Sequence, residues 1–186
     1  LLSHLALSRT DIIFFLWFND YIEVVVCIVS LFVIMWIDII YGGSGNDYIA
    51  GGSSNDRLYG QKGKDKIYGG SGNDYIAGGS SNDYLIGGSG DDFLKGGSGD
   101  DLLNGGIGQN TLNGGSGYDV FVLGSGEGFT TVTDFQLGID QLSLGITDSI
   151  KTEFIEDDTL LFAGNDYLCK ILDTKLDNND TDIWMV

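Results

Sequence analysis

The chain holds no proline, one histidine and two cysteines in 186 residues, and only nine basic residues against 27 acidic ones. Each scarcity removes a class of function. With His4 alone, no HExxH zinc site and no multi-histidine metal centre can be assembled. A Ser-His-Asp or Cys-His catalytic group would also have to draw on that one residue. Cys27 and Cys169 lie far apart in no metal-ligand spacing and supply no disulfide framework. No GxxxxGK[ST] phosphate loop occurs. The formal net charge of −18, with a pI of about 4.1, repels nucleic acid and anionic membrane surfaces. It suits a chain whose natural counterions are metal cations, and the chain reads as no enzyme.

What is abundant is glycine, at 30 residues, more than twice the roughly 7% of an average protein. It is periodic. From Gly42 to Val122 the sequence divides into nine consecutive blocks of nine residues. In order they are GGSGNDYIA, GGSSNDRLY, GQKGKDKIY, GGSGNDYIA, GGSSNDYLI, GGSGDDFLK, GGSGDDLLN, GGIGQNTLN and GGSGYDVFV. Glycine fills the first position throughout. The sixth is Asp in eight blocks and Asn110 in the other, and the eighth is always Ile, Leu or Phe.

Each position has a physical role. Adjacent glycines permit positive φ and a bare backbone, so the chain can turn tightly with its carbonyl oxygens facing inward. Calcium, a hard cation, takes six to eight oxygens from carboxylates and peptide carbonyls; a glycine turn ending in Asp offers both. The last three residues of a block, such as Tyr48-Ile49-Ala50, read as a short strand whose middle side chain points opposite to its neighbours. That places Ile49, Leu58, Ile67, Ile76, Leu85, Leu94, Leu103, Leu112 and Phe121 on one inward stripe. A flexible Gly/Ser/Asp linker has no reason to keep an apolar residue at every ninth position.

These blocks fit the pattern GGxGxDxUx and resemble the RTX (repeats-in-toxin) family of calcium-binding repeats. The resemblance implies an all-β, right-handed parallel β-roll in which two nonapeptides make one 18-residue turn. Calcium ions would sit between a turn and the turn of the block two later. Two ladders follow: Asp47, Asp65, Asp83, Asp101 and Asp119 on one side; Asp56, Asp74, Asp92 and then Asn110 on the other. Carbonyls of Gly42, Gly43, Gly45, Gly69, Gly70, Gly72, Gly78, Gly79, Gly87, Gly88, Gly90, Gly96, Gly97 and Gly99 would complete the coordination. Three departures matter. Gln61-Lys62 replaces the second glycine and its neighbour, with Lys64 and Lys66 flanking Asp65, which weakens sites on that turn. Asn110 removes a charge. Ser54 and Ser81 replace the fourth-position glycine, a mild change if φ stays negative there.

Calcium should control folding. Neighbouring parallel strands lie about 4.8 Å apart, and two bare carboxylates at about 5 Å repel by roughly 3 kcal/mol at an effective dielectric near 20. Several such pairs rival a whole domain's stability of about 5–15 kcal/mol, so the calcium-free chain is expected to be largely disordered. Extracellular calcium modules bind at roughly 10⁻⁴–10⁻³ M. RTX proteins resemble this logic, passing unfolded through a type I secretion apparatus to fold outside the cell.

Three regions are expected: an apolar segment at 1–41, the calcium-binding roll at 42–122, and a β-rich cap at 123–186. Past Val122, strands are predicted at Val120–Leu123, Thr130–Phe135, Gln141–Leu144, Thr159–Phe162 and Tyr167–Leu172, the last two joined by a hairpin turn at Ala163–Asp166. Their main role is to cover the end of the solenoid. Asp134 and Asp140 read as one more calcium site or as a solvated turn. The tail Asp182-Ile183-Trp184-Met185-Val186 resembles some C-terminal type I secretion signals, or is a final strand. At the other end, Val24–Ile37 runs 14 residues without a charge, short of the roughly 18 needed to span a membrane. The nonapeptide phase persists through it: steps of nine from Asp47 reach Asp38, Val29, Asp20 and Asp11, and from Ile49 reach Ile40, Leu31, Ile22 and Ile13. The region reads as degenerate roll with poor calcium turns, with a membrane or interface segment, disorder or a frameshift product as alternatives. The function expected is a secreted calcium-binding module. The runner-up is the C-terminal non-catalytic part of a larger secreted RTX enzyme or toxin (metalloprotease, lipase, epimerase or haemolysin), which the absent Met start favours. Membrane attachment through the apolar N-terminus is a third reading.

Overall fold

The computed structural model describes residues 12–13, 21–23, 30–32, 37–124, 128–144, 150–155, 157–163, 166–174 and 183–185. Among them every regular element is a strand. Three short strands, β1 (Ile12–Ile13), β2 (Tyr21–Glu23) and β3 (Ser30–Phe32), precede a regular series. The series is β4 (Ile39–Ser44), β5 (Tyr48–Ser53), β6 (Arg57–Lys62), β7 (Lys66–Ser71), β8 (Tyr75–Ser80), β9 (Tyr84–Ser89) and β10 (Phe93–Ser98). There follow β11 (Leu102–Ser116), β12 (Val120–Leu123), β13 (Gly128–Val132), β14 (Gln141–Leu144), β15 (Ile150–Ile155), β16 (Asp158–Ala163), β17 (Asp166–Ile171) and β18 (Ile183–Met185).

In the series each strand pairs in parallel with the strand one full turn, 18 residues, further on. In the front sheet Ile49 lies beside Ile67, Ile67 beside Leu85 and Leu85 beside Leu103. In the back sheet the row is Ile40, Leu58, Ile76, Leu94 and Leu112. The result is a parallel β-solenoid whose two sheets face each other, with β11 contributing its first part to the front sheet and its last part to the back. The whole predicted stripe from Ile49 to Phe121 is fully buried, and Ile40 extends it by one block. Each such side chain contributes about 1.5–3 kcal/mol by leaving water.

The strands are longer than the sequence suggested. They run six residues, from the seventh position of one block to the third of the next, so Gly-Gly-Ser is strand and only positions four to six turn. Because strand side chains alternate, the inward positions are the sixth, the eighth and the first of the next block. Asp, the aliphatic residue and glycine therefore line the interior together. Glycine is strand-compatible here for a steric reason: a Cβ on Gly87 would lie 2.3 Å from Asp92 Oδ2 and 2.5 Å from the Gly105 carbonyl oxygen.

The nonapeptide phase extends upstream. Ile22 pairs with Ile40, Leu31 with Ile49 and Ile13 with Leu31, all parallel. Asp11, Asp20, Val29 and most of the Val24–Ile37 run lie outside the described residues. Among the described residues no helix is long and apolar enough to cross a membrane.

At the other end β12 and β14 form as expected, and β13 begins two residues earlier than predicted and ends at Val132 rather than Phe135. β16 and β17 make the expected antiparallel hairpin, with Ala163 opposite Asp166. An unpredicted strand, β15, pairs antiparallel with β16. β17 docks in parallel on β13, and β18 docks on β14, so residues 183–185 take the final-strand reading.

Candidate metal centre

The aspartates of both ladders are buried, Asp47, Asp56, Asp65, Asp74, Asp83, Asp92, Asp101 and Asp119 exposing 3% or less. Each is tied to the next by one repeated bond: the backbone N–H of one Asp donates to Oδ1 of the Asp 18 residues later. Asp47 donates to Asp65 at 2.7 Å, Asp65 to Asp83 at 2.8 Å, Asp83 to Asp101 at 2.7 Å and Asp101 to Asp119 at 3.0 Å. On the other side Asp56 donates to Asp74 at 2.8 Å, Asp74 to Asp92 at 2.9 Å and Asp92 to Asn110 at 2.9 Å. The two ladders thus assemble in the order and at the 18-residue interval that the resemblance implies.

The second carboxylate oxygen has no such partner. Oδ2 of Asp56, Asp65, Asp74, Asp83, Asp92, Asp101 and Asp119 is buried and accepts no hydrogen bond. Leaving a buried charged oxygen unsatisfied costs at least about 1–3 kcal/mol, and a native chain repeats that cost only where something else compensates. Peptide oxygens lie beside the same glycines that adjoin it. A Cβ on Gly69 would meet Asp74 Oδ2 at 2.3 Å and the Gly87 carbonyl at 2.6 Å; on Gly96, Asp101 Oδ2 at 2.3 Å and the Gly114 carbonyl at 2.6 Å. The carboxylate oxygen and the first-position carbonyl of the next turn therefore lie beside the same first-position glycine.

Asn110 shows what the site asks for. Its Oδ1 takes the usual N–H, while Nδ2, at the place of the aspartate Oδ2, donates to the Gly106 and Gly108 carbonyls at 3.2 and 3.5 Å. Those are the second- and fourth-position carbonyls of its own block. Where the side chain is Asn, a donor bridges it to the turn's peptide oxygens. Where it is Asp, the same place holds an oxygen facing oxygens, and only a cation or a proton can bridge them.

Titration points the same way. Burial, opposed by the hydrogen bond from the preceding Asp and reinforced by neighbouring carboxylates, pushes Asp56, Asp83, Asp92 and Asp119 up to about 7. Asp74 and Asp101 rise to about 6 from the same burial, and Asp65 is raised. A cation between the turns would favour the ionised form. The donor set, carboxylate plus peptide carbonyls without His or Cys, fits calcium rather than zinc. Among the described residues no three acidic, His or Cys side chains converge. A cation here would be held by one or two carboxylates and the peptide oxygens of first-, second- and fourth-position residues, as in Gly42, Gly43, Gly45, Gly69, Gly70, Gly72, Gly78, Gly79, Gly87, Gly88, Gly90, Gly96, Gly97 and Gly99. When bound it supplies positive charge between carboxylates that otherwise repel.

Several features go beyond the sequence reading. Asp38, which the nine-residue phase reached but the two ladders left out, belongs to the column: it is fully buried and its N–H donates to Asp56 Oδ1 at 2.8 Å. A second ladder runs outside, at the fifth position, with the opposite polarity: Asn46 Oδ1 accepts from Lys64 N at 2.8 Å, Asn55 from Asn73, Asn73 from Asp91 and Asp91 from Gln109. Lys64, an obligate donor, has no acceptor to pass on to Asn82. Ser54, Gln61 and Ser81 all sit at positive φ (101°, 78° and 83°), so the serines are not the mild replacements expected at negative φ. Asp134 and Asp140 are bonded to the backbone rather than left as a solvated turn. Asp134 accepts from Gly114 N and Gly115 N at 2.9 and 2.8 Å, while Asp140, 2% exposed, accepts from Asp119 N at 3.1 Å and Gln136 N at 2.8 Å. Both carboxylates close the last turn against its own backbone.

Fold and column together define a parallel β-solenoid with a column of buried carboxylates along its interior. Residues 37–121 match the RTX calcium-binding nonapeptide repeat in four copies, at 37–67, 50–85, 59–94 and 86–121. Among solved structures, a subunit of a mannuronan C5-epimerase from Azotobacter vinelandii is similar at 22% identity and a TM-score of 0.42, over 52% of this chain and 70% of that one. An extracellular lipase from Serratia marcescens is similar at 15% identity and a TM-score of 0.40, over 82% of this chain and 40% of the lipase. No curated protein matches.

Proposed function

We propose that this chain is a calcium-binding module of a secreted protein, unfolded where calcium is scarce and folding on calcium after export through a type I secretion apparatus. The observation that carries the reading is the column of buried aspartate Oδ2 atoms that accept no hydrogen bond, set among peptide oxygens. Eight aspartates are the proposed carboxylate ligands: Asp47, Asp56, Asp65, Asp74, Asp83, Asp92, Asp101 and Asp119. The module itself performs no catalysis. Its work is mechanical and regulatory: the chain stays export-competent in low calcium, then becomes a rigid β-structured body outside the cell.

Far-UV circular dichroism during a calcium titration tests this, with magnesium as control. A coil-to-β transition at sub-millimolar to millimolar calcium is expected. Magnesium should not produce it, because that ion demands near-ideal octahedral geometry and dehydrates reluctantly. A chain already fully β-structured in chelator, or one that calcium leaves unchanged, would end the proposal.

A further inference from the structure

Two asparagines in the chain are followed by glycine, Asn104 and Asn113, both within β11. In such a pair the glycine amide nitrogen can attack the asparagine Cγ, because glycine has no Cβ to hinder the approach. The local sequences are the same, Leu-Asn-Gly-Gly, and both asparagines are half-buried. Their side chains are held differently. Asn104 is bent onto its own backbone: Gly106 N–H donates to Asn104 Oδ1 at 3.0 Å. That is the Asx-type contact to the residue two further on, and the ring it closes contains both Asn104 Cγ and Gly105 N. The carbon under attack and the attacking nitrogen are thus kept together. Across the front sheet Asn104 lies between Ile86 and Val122, whose side chains offer its Nδ2 no acceptor. Asn113 is tied down instead. Its Nδ2 donates to Thr133 Oγ1 at 3.1 Å, and Gly114 N–H, on the nitrogen that would attack, donates to Asp134 Oδ1 at 2.9 Å.

We infer that Asn104 is a site of spontaneous deamidation in the folded roll and that Asn113 is protected from it. Gly105 N gives its proton to solvent hydroxide and bonds to Asn104 Cγ. The Cγ–Nδ2 bond breaks, and Nδ2 takes a proton from water and leaves as ammonia. One water then opens the cyclic imide at either carbonyl, leaving aspartate or isoaspartate at position 104. The same closure at Asn113 must first break the bond from Gly114 N–H to a carboxylate and draw the side-chain amide off Thr133. The consequence falls on β11. Leu103 and Gly105 are consecutive inward positions of that strand. The iso product lengthens the main chain by one carbon between them and puts them out of step, so the modification ages the roll irreversibly. The inference needs only the folded roll and does not depend on which condition folds it.

The test is peptide mapping by mass spectrometry of the full chain aged in mildly alkaline buffer, with fragmentation that reads Asn104 and Asn113 separately. One sample is kept folded, in calcium or in whichever condition circular dichroism shows the β-structured chain; a second is unfolded in urea. In the folded sample Asn104 should convert at least about tenfold faster than Asn113, the factor that one hydrogen bond to a charged group supplies. In urea the two should convert at like rates, since their local sequences match. In an Asp134→Ala chain that circular dichroism shows to be folded, the rate at Asn113 should rise and that at Asn104 should stay. The inference is overturned by equal rates at the two sites in the folded sample or by faster conversion at Asn113. It is overturned as well by a folded sample in which neither converts while both do in urea, or by an unchanged rate at Asn113 in the variant.

Discussion

Replacing Asp83 with Asn separates the two duties of a ladder aspartate. Asn keeps the Oδ1 that accepts from Asp65 N at 2.8 Å. It replaces the buried Oδ2 with a donor that can reach its own turn's carbonyls, as Asn110 does. In the calcium-free roll Asp83 is raised from 3.8 to about 7, chiefly by burial. Three units correspond to about 4 kcal/mol of ionisation penalty carried by the folded state at pH 7.5. Asp83→Asn removes it, so the calcium-free roll should gain about 2–4 kcal/mol after allowance for relaxation. In calcium the sign reverses, because a charged ligand is lost at a cost of about 1.5–3 kcal/mol. Two titrations by circular dichroism read these effects. In EGTA, trimethylamine oxide, which favours compact states, should fold the variant at lower concentration than the parent. Without it, the variant should need about tenfold more calcium. A variant that needs more of both would refute the reasoning, because the buried carboxylate would then carry no net penalty in the calcium-free roll.

Other outcomes follow from neighbouring geometry. In EGTA, protons should substitute for calcium: carboxylates whose folded pKa is raised to about 6–7 destabilise the roll above that range and are relieved as pH falls toward 3.8. Calcium-free β signal should therefore grow between pH 7 and 4, read at micromolar concentration because the pI is about 4.1; a signal flat with pH would contradict it. Gln61→Gly should relieve a left-handed residue at φ 78°, stabilising by about 1 kcal/mol and lowering the calcium midpoint. Asp134→Ala strands the N–H groups of Gly114 and Gly115 and should cost about 1–3 kcal/mol. That loss should persist at saturating calcium as a lower melting temperature.

Much of this fold was legible because the repeat is strict. A nine-residue period with one Asp and one aliphatic residue marks the ladder residues and the buried stripe, the RTX resemblance divides the aspartates into two ladders, and the period survives upstream, where Ile22 and Ile40 still pair. What stayed hidden was local. Gly-Gly-Ser looks like turn but is strand, since a first-position glycine serves the neighbouring carboxylate rather than a bend. The outer ladder was missed because its fifth position mixes Asn and Asp with Lys64, Gln109 and Tyr118. β15 was missed because Ile150–Ile155 (IKTEFI) alternates imperfectly. Asp134 and Asp140 lie 20 and 21 residues beyond Gly114 and Asp119, off the 18-residue interval, so phase could not assign them to the last turn.

The most direct test is anomalous diffraction from crystals grown in calcium. Ordered anomalous peaks should lie between successive turns, each within about 2.3–2.6 Å of an aspartate Oδ2 and of peptide oxygens. The sequence should run along Asp47–Asp119 and Asp56–Asp92 and stop at Asn110. Peaks confined to the outer fifth-position row, or their absence while each Oδ2 meets a water, would contradict the assignment of the column to calcium.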